Sequence, residues 1–166
     1  MEALLRAAMR KIVFLARAVR NAVRDLKYGR PVIGSERTRF AAEGSADVVN
    51  SDWGALRVIF ADRVLPDDVI VDVGCGRGRV LNFCLSRFPN HRLVGIELDP
   101  EIARRTALRL RKHHTVESRS GDAVQPLPGE GSLYFLFNPF DATVLRRLVE
   151  RLEEPSRPRG LRVLYY

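Results

Sequence analysis

The chain has 166 residues, enough for one domain with a real core. Its 46% hydrophobic content is that of an ordinary globular protein, and its net charge is +8. No apolar run approaches the ~20 residues that a membrane span requires. The charge is uneven. Residues 1–30 carry eight Lys/Arg against two Asp/Glu, a net of +6, while the rest carries twenty against eighteen, a net of +2. The basicity therefore belongs to the N-terminal segment, which weakens any argument from overall charge to nucleic-acid binding by the whole chain. Two cysteines, Cys75 and Cys84, make no disulfide framework and suit a reducing compartment, so a cytoplasmic location is expected. His91, His113 and His114 show no ligand spacing, and no metal site is expected.

Residues 1–27 read as one long helix, rich in Ala, Leu and Arg and free of Gly and Pro. Arg6, Arg10, Arg17, Arg20, Arg24 and Lys27 share one face, and Leu5, Ile12, Leu15, Val19, Val23 and Leu26 line another. Three readings stand: a helix packed on the domain with a solvated basic face, an amphipathic helix on an anionic membrane, or a basic arm for RNA or an acidic partner. Gly29 and Pro31 end the helix. Residues 29–46 have linker composition and serve either as a lid or as a connection. The expected division is therefore 1–46, basic helix and linker, and 47–166, the main domain. A short helix follows from Ser51 or Asp52 to Val64, with one of these two as its cap.

Residues 69–73 (Val-Ile-Val-Asp-Val) are β-branched apart from Asp72 and read as a strand buried on both faces. Gly74, Gly76 and Gly78 follow at alternate positions, and a helix begins at Arg79. Strand, glycine turn and helix N-terminus together form a nucleotide-binding corner. A dinucleotide fingerprint needs Gly-x-Gly-x-x-Gly. Here the third place is Arg79, and a carboxylate two residues before the first glycine would repel a pyrophosphate but suit a ligand with an ammonium group. A tight turn without a ligand is the plain alternative. Three spaced glycines that pack nothing speak against it, because each costs backbone entropy.

A second strand over residues 91–97 ends at Glu97, nineteen residues after Gly78. In a doubly wound sheet a carboxylate here takes both hydroxyls of an adenosine ribose. Asp99 and Pro100 then start a helix as N-cap and first residue. Residues 115–119 read as a third strand, followed by Gly121-Asp122-Ala123 and a loop over 124–131 where a crossover helix is absent. Residues 132–137 are a strongly apolar fourth strand that ends in Asn138-Pro139-Phe140-Asp141. A helix over 142–153 and a fifth strand over 161–166 complete the chain.

Asp-x-Gly-x-Gly-x-Gly resembles motif I of the class I S-adenosylmethionine-dependent methyltransferases. That resemblance implies a doubly wound α/β fold with a mainly parallel sheet of order 3-2-1-4-5 and an N-terminal helical extension. Strands 6 and 7 of that family have no sequence to form them here, so the chain is expected to be minimal or truncated, or residues 1–60 help to cover the free edge. S-adenosyl-L-methionine is the implied cofactor. Its implied contacts are Asp72, Gly74, Cys75, Gly76 and Gly78 for the methionine part, Glu97 for the ribose, and Asp122 with Ala123 for the adenine, with Leu98 also in contact with the cofactor. Asn138-Pro139-Phe140 is similar to the Asn/Asp-Pro-Pro-aromatic motif of amino-group methyltransferases, with one proline and the aromatic residue a place early. Asn-x-Phe there also resembles small bacterial relatives of the non-SET histone-lysine methyltransferases. These three residues are accordingly expected to be catalytic, with Asn138 and the Pro139 carbonyl aligning the acceptor nitrogen and Phe140 walling the site. The expected partner is a methyl acceptor of unassigned identity, with membrane-surface or nucleic-acid contact through helix 1–27. A peripheral membrane location follows from the first of these. The alternatives are an inactive methyltransferase-like binding module and an NAD-type dehydrogenase.

Overall fold

A computed structural model describes residues 1–37, 39–40, 47–125, 127–137 and 140–166, with only the backbone of Ala3. Among the described residues, five helices and five strands follow one another as α1 (Glu2–Leu26), α2 (Trp53–Ile59), β1 (Val69–Val73), α3 (Arg79–Arg87), β2 (Arg92–Glu97), α4 (Pro100–Leu110), β3 (Val116–Ser120), β4 (Leu133–Leu136), α5 (Ala142–Leu152) and β5 (Arg162–Tyr165). The sheet order is β3-β2-β1-β4-β5 with every pairing parallel. Fold class, strand order and the N-terminal helical extension are as expected. Among the described residues no helix lies between β3 and β4. No strand among them pairs with the outer edge of β5, where Val163 and Tyr165 are exposed.

Both sheet faces are buried, which is why the central strands are nearly continuous apolar runs. Ile70, Leu93, Leu133 and Phe135 face α2 and α3, where Trp53, Phe60, Leu81 and Phe83 complete one core. Val71, Val73, Val94, Ile96, Tyr134 and Leu136 face the other way, toward Ala123, Val124, Leu127 and Leu148. Gly95 interrupts β2 because the glycine loop presses on it. A Cβ there would meet the Cys75 sulfur at 2.8 Å and Leu81 Cδ1 at 2.9 Å.

The helix starts follow local chemistry. Asp52 accepts from the backbone of Gly54 and Ala55, Asp99 from Glu101 and Ile102, and Asp141 from Thr143 and Val144. Helix α2 stops at Ile59, one turn before the expected Val64. The N-terminal helix departs from one of its three readings. Among the described residues only its C-terminal end is seated, through buried Asn21 and Asp25, and the apolar stripe from Leu5 to Leu26 is not packed on them. Ile12 is 60% exposed, Leu15 60% and Val19 62%.

Candidate functional site

A cavity of about 700 Å³ opens beyond the carboxyl ends of β1, β2 and β4, the place where ligands enter open α/β sheets. Asp72 supplies its floor from within β1. The residue is 3% exposed, and its Oδ2 has no hydrogen-bond partner among the described residues. Burial, and then the charge of Glu97, push its pKa up to about 8. A buried carboxylate oxygen with nothing to accept from is costly. It is the position that a ligand ammonium would satisfy.

The glycine loop crosses from β1 to α3 in left-handed backbone, with φ of +74° at Gly74, +50° at Gly76 and +75° at Gly78. Only glycine adopts this geometry without strain at three alternate positions. The backbone N–H groups of Gly74 and Cys75 donate to the Ile96 carbonyl at 2.9 and 2.8 Å, which pins the loop to the end of β2. Gly74 and Cys75 line the cavity, while Gly76 and Gly78 sit behind it. The expectation that these glycines pack nothing is corrected by what surrounds them. A Cβ on Gly76 would meet Val48 at 2.7 Å, and one on Gly78 would meet Thr106 and Arg109 at 2.8 and 2.9 Å. Part of the glycine spacing therefore serves close packing of the loop on α4 and on the segment before α2.

Glu97 ends β2 with its carboxylate held by backbone. Oε2 accepts from Gly76 N at 2.8 Å and Oε1 from Asp99 N at 2.9 Å. Burial nevertheless raises its pKa above the usual carboxylate range. Each oxygen keeps a second lone pair, so the group can still accept from a pair of hydroxyls. Leu98, Asp122 and Ala123 join the same wall, and Asp122 Oδ1 accepts from Val124 N at 2.9 Å. The structure thus brings Asp72, Gly74, Cys75, Glu97, Leu98, Asp122, Ala123 and Phe140 around one cavity. Asn138 and Pro139 lie outside the described residues.

Several wall residues carried no local sequence signal. Phe40 and residues 47–51 form one side, held by the antiparallel bridge of Glu36 with Val48 and by the ion pair of Arg39 with Asp99 at 2.7 Å. Of the segment expected as lid or connection, residues 29–46, residues 38 and 41–46 lie outside the described residues. Phe137 adds an aromatic wall and stacks on Tyr166 at 5.1 Å. Arg147 reaches the cavity from α5 and makes no hydrogen bond or ion pair among the described residues. The strand-end position of Phe137 could have flagged it, whereas nothing in the helical spacing singles out Arg147.

The cavity, its strand-end carboxylates and its left-handed glycine loop agree with what family comparison finds. Residues 70–165 match the methyltransferase domain family, more than half of the chain. The chain belongs to the class I S-adenosylmethionine-dependent methyltransferases. Over 97 residues, 53% of its length, it is 35% identical to trans-aconitate 2-methyltransferase of Sinorhizobium fredii, and it spans only 35% of that protein. An RNA methyltransferase from Salinibacter ruber, solved with S-adenosyl-L-homocysteine, is similar over 63% of this chain and 69% of its own, with 25% identity and a TM-score of 0.52. Mitomycin 7-O-methyltransferase shares the fold over 67% of this chain and 34% of its own, with 23% identity and a TM-score of 0.57. No helix among the described residues of this methyltransferase domain is long and apolar enough to cross a membrane.

Proposed function

We propose that this protein transfers a methyl group from S-adenosylmethionine to a nucleophile held at the end of β4. One observation carries the reading: an unpaired, buried Asp72 oxygen and a backbone-held Glu97 stand at adjacent strand ends, on either side of the glycine loop. Asp72 and the loop would hold the ammonium and carboxylate end of the cofactor, Glu97 its ribose, and Asp122 with Ala123 its adenine. Bound there, the cofactor supplies an activated sulfonium methyl group. The chain then has to position the acceptor and exclude water rather than generate a strong nucleophile. Phe137, Phe140 and Val144 provide the apolar wall for that task.

On this reading the acceptor atom is an amine nitrogen, with Asn138 and the Pro139 carbonyl accepting its protons and Phe140 flanking it. The Asn-Pro-Phe run at the end of β4 supports it. A second reading, an acceptor that carries a carboxylate, is favoured by Arg147, a cavity cation with no partner among the described residues, and by the likeness to a protein named for trans-aconitate.

Calorimetric titration of the purified chain with S-adenosylhomocysteine, S-adenosylmethionine and NAD tests the core of the proposal. Binding of the first two, lost in Glu97→Ala, is the expected result. A folded chain that binds none of the three would leave a scaffold domain, and selective binding of NAD would replace the reading with a dehydrogenase. Once an acceptor is found, Asn138→Ala should lose turnover while keeping cofactor affinity.

A further inference from the structure

We infer that α1 is an interfacial anchor that lays its apolar stripe into an anionic lipid surface. The helix has 25 residues, about 37 Å at 1.5 Å per residue. Its C-terminal end is fixed to the domain through Asn21, which donates to Asp52 at 3.0 Å, and through buried Asp25. Leu5, Ile12, Val19 and Leu26 recur every seven residues, and Leu15 and Val23 fall on the same side. All six are exposed by half or more, from 54% at Leu26 to 65% at Leu5. An apolar stripe this continuous on a protein surface marks an interaction site.

The charges name the partner. Arg6, Arg10, Arg17 and Arg24 lie on the side of the helix opposite the stripe, with Lys11 and Arg20 along its margins. Residues 2–27 carry seven Lys/Arg and two Asp/Glu. One of those acids, Asp25, is taken by Arg79, and the other, Glu2, is an exposed partner of Arg6 at 3.4 Å. Arg10, Lys11 and Arg20 have no ion pair among the described residues. An apolar stripe with a cationic opposite face and margins matches a helix lying in the plane of a headgroup layer. There the stripe reaches the acyl boundary and the long basic side chains extend back to the phosphates.

The other occupants fit less of what is seen. A nucleic acid would neutralise the arginines and leave the six apolar side chains in water. A second copy packed through the stripe would bring Lys11, Arg20 and Lys27 near the cations of its partner, and the one acidic residue at those margins, Glu2, is already paired with Arg6.

The test is sedimentation of the full chain with vesicles of phosphatidylcholine alone and of phosphatidylcholine with about one-third phosphatidylglycerol. Binding to the anionic vesicles, weak binding to the neutral ones, and release by salt are expected. Arg10→Gln with Arg17→Gln should weaken anionic binding about thirtyfold, since each basic residue near such a surface is worth roughly fivefold. Ile12→Glu with Leu15→Glu should abolish it. Both sites are exposed, so the variant should stay folded by circular dichroism and keep wild-type affinity for S-adenosylhomocysteine. Equal binding to both vesicle types, or to neither, overturns the proposal. So does a concentration-dependent dimer that Ile12→Glu with Leu15→Glu dissolves, which assigns the stripe to a second copy. Retention of RNA that survives the same double substitution, without binding to anionic vesicles, assigns the helix to nucleic acid.

Discussion

The Asp25 carboxylate accepts hydrogen bonds from both Nε and Nη2 of Arg79, at 3.0 and 2.8 Å, with both side chains buried. The pair joins the end of the N-terminal helix to the first residue of the helix after the glycine loop. Asp25 also accepts from Trp53 Nε1 at 3.2 Å and Asn82 Nδ2 at 2.9 Å, and Arg79 donates to the Ser51 carbonyl at 3.2 Å. Ser51 lines the cavity, so this network sets one wall of the site. Position 79 is where a dinucleotide fold would carry its third glycine; here an arginine uses the same place to tie down α1.

Removing one partner of this pair strands the other as a buried charge. Asp25→Ala is therefore expected to cost about 3–5 kcal/mol of stability. Urea denaturation of the two proteins side by side reads the difference. A loss below about 1 kcal/mol, the size of an exposed pair, would mean that water reaches Arg79 and that α1 is not fixed in this way.

The legible part of the site is the part encoded by short-range pattern. β-branched strand, alternate glycines and the carboxylate nineteen residues after Gly78 are local, and the sheet order is the one that the family resemblance implies. Asp25 and Arg79 could not be paired from sequence, because 54 residues separate them and no local spacing connects them. Residues 47–51 give no sign in sequence of reaching the cavity, although Ser51 is a cap candidate. They form no helix or strand, and only tertiary contact brings them to the cavity. Gly95 did carry a signal, since a glycine inside a buried strand marks close approach of another group.

That approach gives the next prediction. A methyl group at position 95 would lie 2.8 Å from the Cys75 sulfur and 2.9 Å from Leu81 Cδ1. Both neighbours are buried, so neither can swing away into solvent. Gly95→Ala should cost about 1–3 kcal/mol, the range for overpacking a core. It should also weaken cofactor binding, because the displaced residue belongs to the glycine loop. Cys75→Gly in the same chain removes the nearer clash and should restore part of both losses. Chemical denaturation and calorimetry report the two effects separately, and a silent Gly95→Ala would show that the loop is loosely seated on β2.

The outermost strand depends on one buried acid. Asp68 receives Arg162 Nη2 on both carboxylate oxygens, at 2.5 and 2.6 Å, and Ser132 Oγ at 2.7 Å. Asp68 is 5% exposed, so losing Arg162 leaves a largely desolvated carboxylate with fewer donors. Arg162→Ala should destabilise the protein by about 1–3 kcal/mol. It should also speed amide exchange in β5 well before that in β1 and β4, because an edge strand is held from one side only. Uniform acceleration across the sheet would indicate that β5 opens only with the whole domain.

Asp72 links the site to pH. Its folded pKa of about 8 lies above the ~3.9 of a free aspartate. Between those two values the unfolded carboxyl has lost its proton and the folded one keeps it. The folded state then binds more protons, so this group makes the ligand-free protein less stable as pH rises from about 4 to about 8. A ligand ammonium favours the ionised form, and binding must drive the proton off. At pH 7 S-adenosylhomocysteine binding is therefore expected to release close to one proton. Titrations in phosphate and in Tris, whose ionisation heats differ, count that proton directly. Asp72→Asn should bind more weakly and release none. Identical heats in the two buffers for the unaltered protein would show that Asp72 is already ionised before the ligand arrives.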